Sequence, residues 1–292
     1  MPELPEVECV RRSLARLVEG RRVSSVRVNR AGVIRGSGSD AALLVGDVVS
    51  RVLRHGKQLA IVGESGGVVS VHLGMSGQLC ATGNAGDALT QRTASRIGSM
   101  KAKPEAFPAH THVVWRLESG LVVRFTDPRR FGGLWTFASE AALVAERWSR
   151  LGPDALWIGP AALGRGLSGT RRCLKAALLD QRLVAGLGNI YVDELLFGAG
   201  LHPLSRADRL PGDRLPSLVR RMRTLLRGAI ERGGSSLRDY VDADNRAGQQ
   251  QTRHRVYGRA GERCKRRGCR ARIESDQIAG RTTCWCPSCQ RL

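Results

Sequence analysis

The chain has 292 residues, with 47 Lys and Arg against 26 Asp and Glu, and so a formal net charge of +21 at pH 7. That excess points to a polyanionic partner, nucleic acid first. No apolar run approaches the roughly 18 residues needed to cross a bilayer, and Glu3, Glu6, Glu8, Arg11 and Arg12 interrupt the start, so neither a membrane span nor a secretory leader is expected. The expectation is a soluble intracellular protein, long enough for two domains with their own cores.

The first predicted element is a helix opened by Pro2-Glu3-Leu4-Pro5-Glu6, with Val7, Val10, Leu14, Leu17 and Val18 recurring at helical spacing. Removal of Met1 would leave Pro2 as a secondary amine beside the Glu3 carboxylate. An α-amino group, with a reference pKa of about 8, supplies far more free base near neutrality than a lysine, so Pro2 is a candidate nucleophile and Glu3 a candidate proton shuttle. Few amines compete with it. The only lysines are Lys57, Lys101, Lys103, Lys175 and Lys265, and arginine cannot serve as an amine nucleophile.

Residues 21 to 137 alternate short Val- and Leu-rich runs with Gly-rich turns, notably Val68 to Leu73, His112 to Leu117, Leu121 to Phe125 and Leu134 to Phe137, which predicts a β-sandwich or flattened barrel. His72-Leu-Gly-Met75 ends one strand, and Asp127-Pro-Arg-Arg-Phe-Gly132 forms a turn between two others. These segments offer apolar wedges for a base stack and guanidiniums for an orphaned base. The stretch 81 to 110, with Arg92, Arg96, Lys101 and Lys103, has no periodicity and reads as a mobile basic loop. A helix is expected from about Ser139 to Leu151, then a Gly/Pro-rich domain boundary at 152 to 170.

From Arg171 onward the pattern turns helical. One helix is expected over Leu174 to Leu183, then a tight turn at Val184-Ala-Gly-Leu-Gly188, a second helix capped by Asn189 and running to about Gly198, and a third from about Leu215 to Arg232. The second N-terminus would present backbone N–H groups to phosphate. A polar loop over 233 to 252 precedes the terminus, where Cys264-x4-Cys269-x16-Cys286-x2-Cys289 offers four thiolates in two knuckles for one structural, tetrahedral zinc ion. Cys284 is a possible competing ligand, and Cys9, Cys80 and Cys173 read as buried thiols. Arg281 falls between the knuckles, on a finger aimed at phosphate.

Taken in order, MPELPE at the start, HLGMSG at 72 to 77, DPRRFG at 127 to 132, DQRLVAGLGNIYVDE at 180 to 194, VYGR at 256 to 259 and the cysteine hairpin resemble the bacterial formamidopyrimidine-DNA glycosylases over nearly the whole chain. The resemblance implies an α+β fold: a catalytic β-sandwich with the N-terminal helix (1–137), a helix and linker (138–170), a helix-two-turn-helix domain with a lesion-capping loop (171–260), and a zinc finger (261–292). It implies Pro2 as Schiff-base nucleophile, Glu3 as the acid that assists sugar opening, Glu6 as a supporting carboxylate, Lys57 as a phosphate contact and proton donor, and Arg281 as a participant in the second elimination. It also makes Met75, Arg129 and Phe131 the intercalating trio, and places His72, His110, Arg171, Lys175 and Asn189 on the DNA or lesion strand.

The activity implied is excision of oxidised purines from damaged double-stranded DNA with abasic-site lyase activity, by a monomer in the bacterial cytoplasm. Three features depart from the family pattern: the four-residue spacing of the first knuckle, Gln249-Gln-Gln251 where an aromatic residue is common, and the length of the 81 to 110 insertion. One rival reading is an endonuclease VIII-like enzyme selective for oxidised pyrimidines, which Leu4 opposes because that group starts MPEGPE. The other is a catalytically silent lesion-binding protein, which the presence of Pro2, Glu3 and Lys57 opposes.

Overall fold

In the computed structural model, residues 1–83, 108–237 and 240–292 are described. Of the segment 81 to 110 read as a basic loop, residues 84–107, with Arg92, Arg96, Lys101 and Lys103, lie outside them, and Ala81 and Thr82 belong to a strand. The first helix, α1 (Leu4–Val18), begins with Pro5 in its first turn and with the Glu3 amide donating to the Glu6 carboxylate at 2.8 Å. Its next elements are β1 (Val23–Val28), β2 (Ile34–Arg35), β3 (Val49–His55), β4 (Gln58–Gly63), β5 (Val68–His72) and β6 (Gln78–Thr82). Then follow β7 (Thr111–Leu117), β8 (Val122–Thr126) and β9 (Gly133–Phe137). They form two sheets, a four-stranded antiparallel one in the order β1-β7-β8-β6 and a five-stranded one in the order β2-β9-β5-β4-β3, in which only the short β2 runs parallel to its neighbour.

Apolar residues alternate along these strands because one face of each sheet turns inward. Val69, Val71, Val113, Phe125 and Leu134 meet Val7, Val10, Leu14 and Val18 of α1 in a single core. The outer face of β4 and β5 is also apolar, which hides the alternation there. Helix α2 (Glu140–Glu146), capped by the Ser139 hydroxyl, covers it and packs Leu143 on Ala60, Val62 and Val68.

The stretch read as a linker contains a helix, α3 (Pro160–Ser168). Its glycines disguised it. A Cβ at Gly166 would lie 2.8 Å from Leu183 and one at Gly164 2.7 Å from Leu215, so these positions serve close packing and not a turn. Next come α4 (Leu174–Leu179), α5 (Asn189–Ala199) and α6 (Arg214–Glu231). Helix α4 stops four residues earlier than expected, because Asp180 leaves the helical conformation and its carboxylate accepts the Arg182 amide. Leu4 and Cys9, on the opposite side of α1 from Val7 and Val10, pack with Leu174, Tyr191, Leu195, Met222 and Leu226 in a second core. One helix is therefore shared by both halves, which fixes the cleft between them.

The chain closes with the hairpin β10 (Glu274–Ile278) and β11 (Arg281–Trp285), joined by Ala279 and Gly280 in left-handed backbone. Phe197, Val256, Ile273 and three of the cysteines form a small third core beneath it. Of the three thiols expected to be buried, Cys9 and Cys80 are and Cys173 is half-buried.

Candidate active site

At the junction of the halves, two carboxylates from α1 are driven into the N-terminal turn of α5. Glu3 accepts from the Gly188 amide at 2.6 Å and the Ile190 amide at 2.8 Å. The approach depends on glycine, since a Cβ at Gly188 would sit 2.4 Å from the Glu3 carboxyl carbon. Glu6 accepts from the Glu3 amide, the Tyr191 hydroxyl at 2.6 Å and the Ser235 amide at 2.8 Å. Burial pushes the Glu3 carboxyl up to about 7, against the pull of the Lys57 ammonium and with a further push from Glu6. Burial raises Glu6 as well, opposed by its hydroxyl and amide donors.

This arrangement corrects two expectations. Asn189 is the first helical residue, not the cap, and the amides thought to await phosphate are taken by Glu3. A carboxylate from the other domain supplies what the helix end requires. Asn189 instead donates through Nδ2 to the Thr282 carbonyl on β11 at 2.8 Å, while its buried Oδ1 has no hydrogen-bond partner among the described residues.

Lys57 occupies the β3–β4 turn and is buried. Desolvation lowers its pKa, Glu3 resists the fall, and the Arg281 charge adds to it, so β11 reaches toward the same spot from the opposite domain. The turn itself is anchored by Asp154, which accepts the Gly56 amide at 2.8 Å and binds both terminal nitrogens of buried Arg54. Arg54 also pairs with Glu8 of α1 at 2.9 Å. This buried charge network holds the hairpin carrying Lys57 against the helix carrying Glu3.

Pro2 is buried and lines a cavity of about 430 Å³ with Glu6, Ile190, Ser235, Tyr240 and Tyr257. Met75 and Arg129 form another wall of the same cavity. Met75 is 43% exposed and Phe131 56%, so neither is a core residue, and the Arg129 guanidinium lies over the Phe131 ring at 4.9 Å from its centroid. Their two loops are locked together. Asp127, fully buried, accepts the Ser76 hydroxyl at 2.6 Å and the Gly132 amide at 2.7 Å. Gly74 adopts φ of +62°, and a Cβ there would lie 2.3 Å from the Gly132 nitrogen.

The remaining expected contacts separate. His72 accepts the Gly74 amide through Nδ1, and burial, with Arg147 and Lys57 beside it, pulls its pKa down to about 4, leaving a neutral ring. His110 is exposed in left-handed backbone, and its carbonyl accepts the Asp127 amide. Arg171 is exposed ahead of α4. Lys175 is elsewhere altogether: its ammonium is fully buried in an ion pair with Asp193, so it cannot touch a phosphate at the surface. The other Asp193 oxygen accepts the Cys284 amide at 3.0 Å, and the pair thereby ties α4, α5 and the finger together. The partners that sequence reasoning missed, Asp127, Asp154, Tyr191, Asp193 and Ser235, act across distances in sequence that no local pattern reports.

Cys264, Cys269, Cys286 and Cys289 bring their sulfurs within 4.8 Å of one another. Cys264 and Cys289 are 3.9 Å apart and Cys269 and Cys286 3.6 Å. Tetrahedral zinc at about 2.3 Å from each thiolate requires sulfurs about 3.8 Å apart, so the set fits despite the long first knuckle. Cys284 is outside the group, buried on β11.

Comparison with known proteins agrees with this architecture. The family described as formamidopyrimidine-DNA glycosylase N-terminal domain matches residues 1–134, and its H2TH domain matches residues 151–241. The chain is 42% identical to a formamidopyrimidine-DNA glycosylase of Cereibacter sphaeroides and 41% to that of Afipia carboxidovorans, in each case over 100% of both chains. The crystal structure of MutM (Fpg) from Thermus thermophilus superimposes with a TM-score of 0.80 at 38% identity, covering 99% of this chain and 98% of that one. Lactococcus lactis Fpg in complex with DNA containing an abasic site gives a TM-score of 0.83 at 29% identity, covering 99% and 100%.

Proposed function

Because this chain belongs to the formamidopyrimidine-DNA glycosylase family, we propose that it excises oxidised purines, 8-oxoguanine and formamidopyrimidines, from duplex DNA and then cleaves the abasic strand. The observation that carries the reading is the one cavity in which Pro2 and the exposed Met75 and Arg129 converge. A nucleotide turned out of the helix would deliver its sugar to Pro2 while Met75, Arg129 and Phe131 fill the gap it leaves.

In this mechanism Met1 is first removed, since the Pro2 nitrogen is otherwise an amide. The free amine attacks the anomeric carbon, the base departs, and Glu3, with its pKa near 7, delivers a proton to the ring oxygen as the sugar opens. Glu6 holds the Glu3 backbone and the Tyr191 hydroxyl in place. Lys57 binds the neighbouring phosphate and protonates the leaving group in strand elimination, and Arg281 assists the second elimination. His72, His110, Arg171 and Asn189 contact the DNA or lesion strand. Residues 1–137 form the catalytic domain, 171–260 the helical DNA-binding domain and 261–292 the finger, with 138–170 between them, and the protein acts as a monomer. Zinc bound by the four cysteines would supply rigidity to the finger; the reaction uses the side chains named above.

Borohydride trapping tests this on duplexes carrying 8-oxoguanine, an oxidised pyrimidine or an abasic site. Processed protein should form an adduct through Pro2 on the first and third, and protein retaining Met1 should bind but trap nothing. An adduct mapped to Lys57 would remove Pro2 from the mechanism, faster trapping on the pyrimidine lesion would shift the substrate class, and binding without trapping by processed protein would indicate a silent lesion binder.

A further inference from the structure

Further along α5 from the catalytic cavity lies a second cavity of about 450 Å³ that the chemistry above does not use. Five guanidiniums line it: Arg220 and Arg221 from α6, Arg232 just past its end, and Arg253 and Arg255 from the segment leading to Tyr257. Among the described residues a single carboxylate, Glu194, accompanies them. It is buried and already engaged, accepting the amides of Arg255, Val256 and Tyr257 at 2.8 to 3.0 Å, so little of its charge faces the cavity. Arg232 donates to the Gln250 side chain at 2.6 Å, and the Arg255 guanidinium lies over the Phe197 ring at 4.8 Å from its centroid. All five arginines are exposed.

The two cavities back onto the same elements. Ile190, at the start of α5, faces the catalytic one, while Glu194, Leu195 and Gly198 face the other, about 6 to 12 Å further along the helix axis. Tyr257 lines the first and Arg255 the second, so the arginine-lined cavity shares no lining residue with the one that holds Pro2.

We propose that this cavity binds the sugar-phosphate backbone of a second DNA segment, one not held in the catalytic cleft. The proposal rests on the DNA-binding reading given above. Five exposed guanidiniums around one depression suit phosphate oxygens, which arginine forks recognise without reading sequence. None of the exposed large apolar side chains, such as Met75, Phe131 or Trp157, lines it, so it lacks the apolar anchor that a protein partner's hot spot requires. A second phosphate contact of this kind would allow the enzyme to pass directly between segments of long DNA while searching for damage.

The test loads the cleft of processed protein with an unlabelled duplex carrying an abasic-site analogue and then adds a labelled, undamaged duplex at low salt. The unsubstituted protein should capture the second duplex. A variant with R220Q, R221Q and R253Q should capture it at least tenfold more weakly, with the salt dependence of that capture reduced by a slope of about two to three. The variant with lysine at the same three positions keeps the charge and should restore most of the capture. Single-turnover excision from a short duplex should be unchanged, which separates failure of this site from failure of the cleft. Normal capture by the glutamine variant would overturn the proposal. So would an equal loss of first-duplex binding, which would assign these arginines to the cleft, or a lost affinity for polyglutamate with duplex capture intact, which would assign them to an acidic protein.

Discussion

The carboxylate junction and the cysteine finger are built in opposite ways. At the junction, Glu3 and Glu6 leave one domain and are satisfied by amides and a hydroxyl about 185 to 229 residues away, so the site exists only when both cores close around α1. The finger gathers its four sulfurs from the last 29 residues and rests on a small core of its own. It is attached to the rest by few polar ties, the Asp193 carboxylate to Cys284, Asn189 to Thr282 and the Arg266 guanidinium to the Phe197 carbonyl among them. On the proposed reading, chemistry is placed where displacement is hardest, while phosphate binding is carried on an element that metal would order by itself.

Removal of the metal gives the largest expected difference between the two. Cys286→Ser should lose bound zinc and weaken duplex binding by about 100-fold, because the finger's structure and metal affinity are one free energy. The junction should survive, so borohydride trapping at high protein concentration should still label Pro2. Simultaneous loss of trapping under those conditions, measured beside zinc content, would show that the finger is part of the catalytic assembly.

Lys175 sharpens the comparison from the other side. Lys175→Met leaves Asp193 buried without its cation, and breaking such a pair costs about 3 to 5 kcal/mol. Denaturant unfolding should reveal that loss, whereas the salt dependence of DNA binding by the remaining folded protein should be unchanged. A reduced salt slope at full stability would return Lys175 to the DNA surface.

The same contrast explains what was legible in the sequence. The helix start at Pro5, the strands around Val69 and Val113, and the Cys264 to Cys289 spacing are local signals, and the structure places them where those signals lie. Lys175 could not be read correctly because its sequence neighbourhood is basic and its partner, Asp193, is a helix and a turn away. Helix α3 was masked by glycines selected for contact with Leu183 and Leu215, and the capping of α5 by Glu3 was invisible because cap rules look only at adjacent residues. Met75 and Phe131 are apolar, and pattern alone assigns such residues to a core; their exposure follows from the Asp127 lock, a buried carboxylate joining two loops 51 residues apart.

That lock makes the wedge a third kind of element, rigid yet exposed. Met75→Ala and Phe131→Ala should each slow excision from a damaged duplex by about tenfold, because partly unstacked DNA loses a filler worth roughly 1 to 2 kcal/mol. Cleavage of an abasic duplex should slow less, since that nucleotide gives up less stacking to leave the helix. Equal slowing in single-turnover assays on the two substrates would indicate a general disturbance of the fold.

The smallest effect concerns the charge state of Glu3. Burial raises its pKa to about 7, so the neutral acid is the favoured form below that value and is lost as pH rises through it. The proton available for sugar opening should therefore fall by about fourfold between pH 6 and 7.5. Over that interval the Pro2 amine becomes more deprotonated, which favours attack, so the two effects oppose each other in a simple rate profile. The ratio of base excision to abasic-site trapping separates them, because trapping needs the amine and not a leaving base. That ratio should decline across pH 7 in the unsubstituted protein. Stability carries the same signature: the folded state holds the Glu3 proton more tightly than the unfolded chain, so its contribution is greatest below about pH 4.5 and is lost as pH rises toward 7. Glu3→Gln, which cannot ionise, should flatten the stability profile in that window while leaving abasic trapping the less affected activity. A Glu3→Gln protein whose stability still fell between pH 4.5 and 7 would move the titration to Glu6, whose carboxyl burial also raises, and with it the role of proton donor.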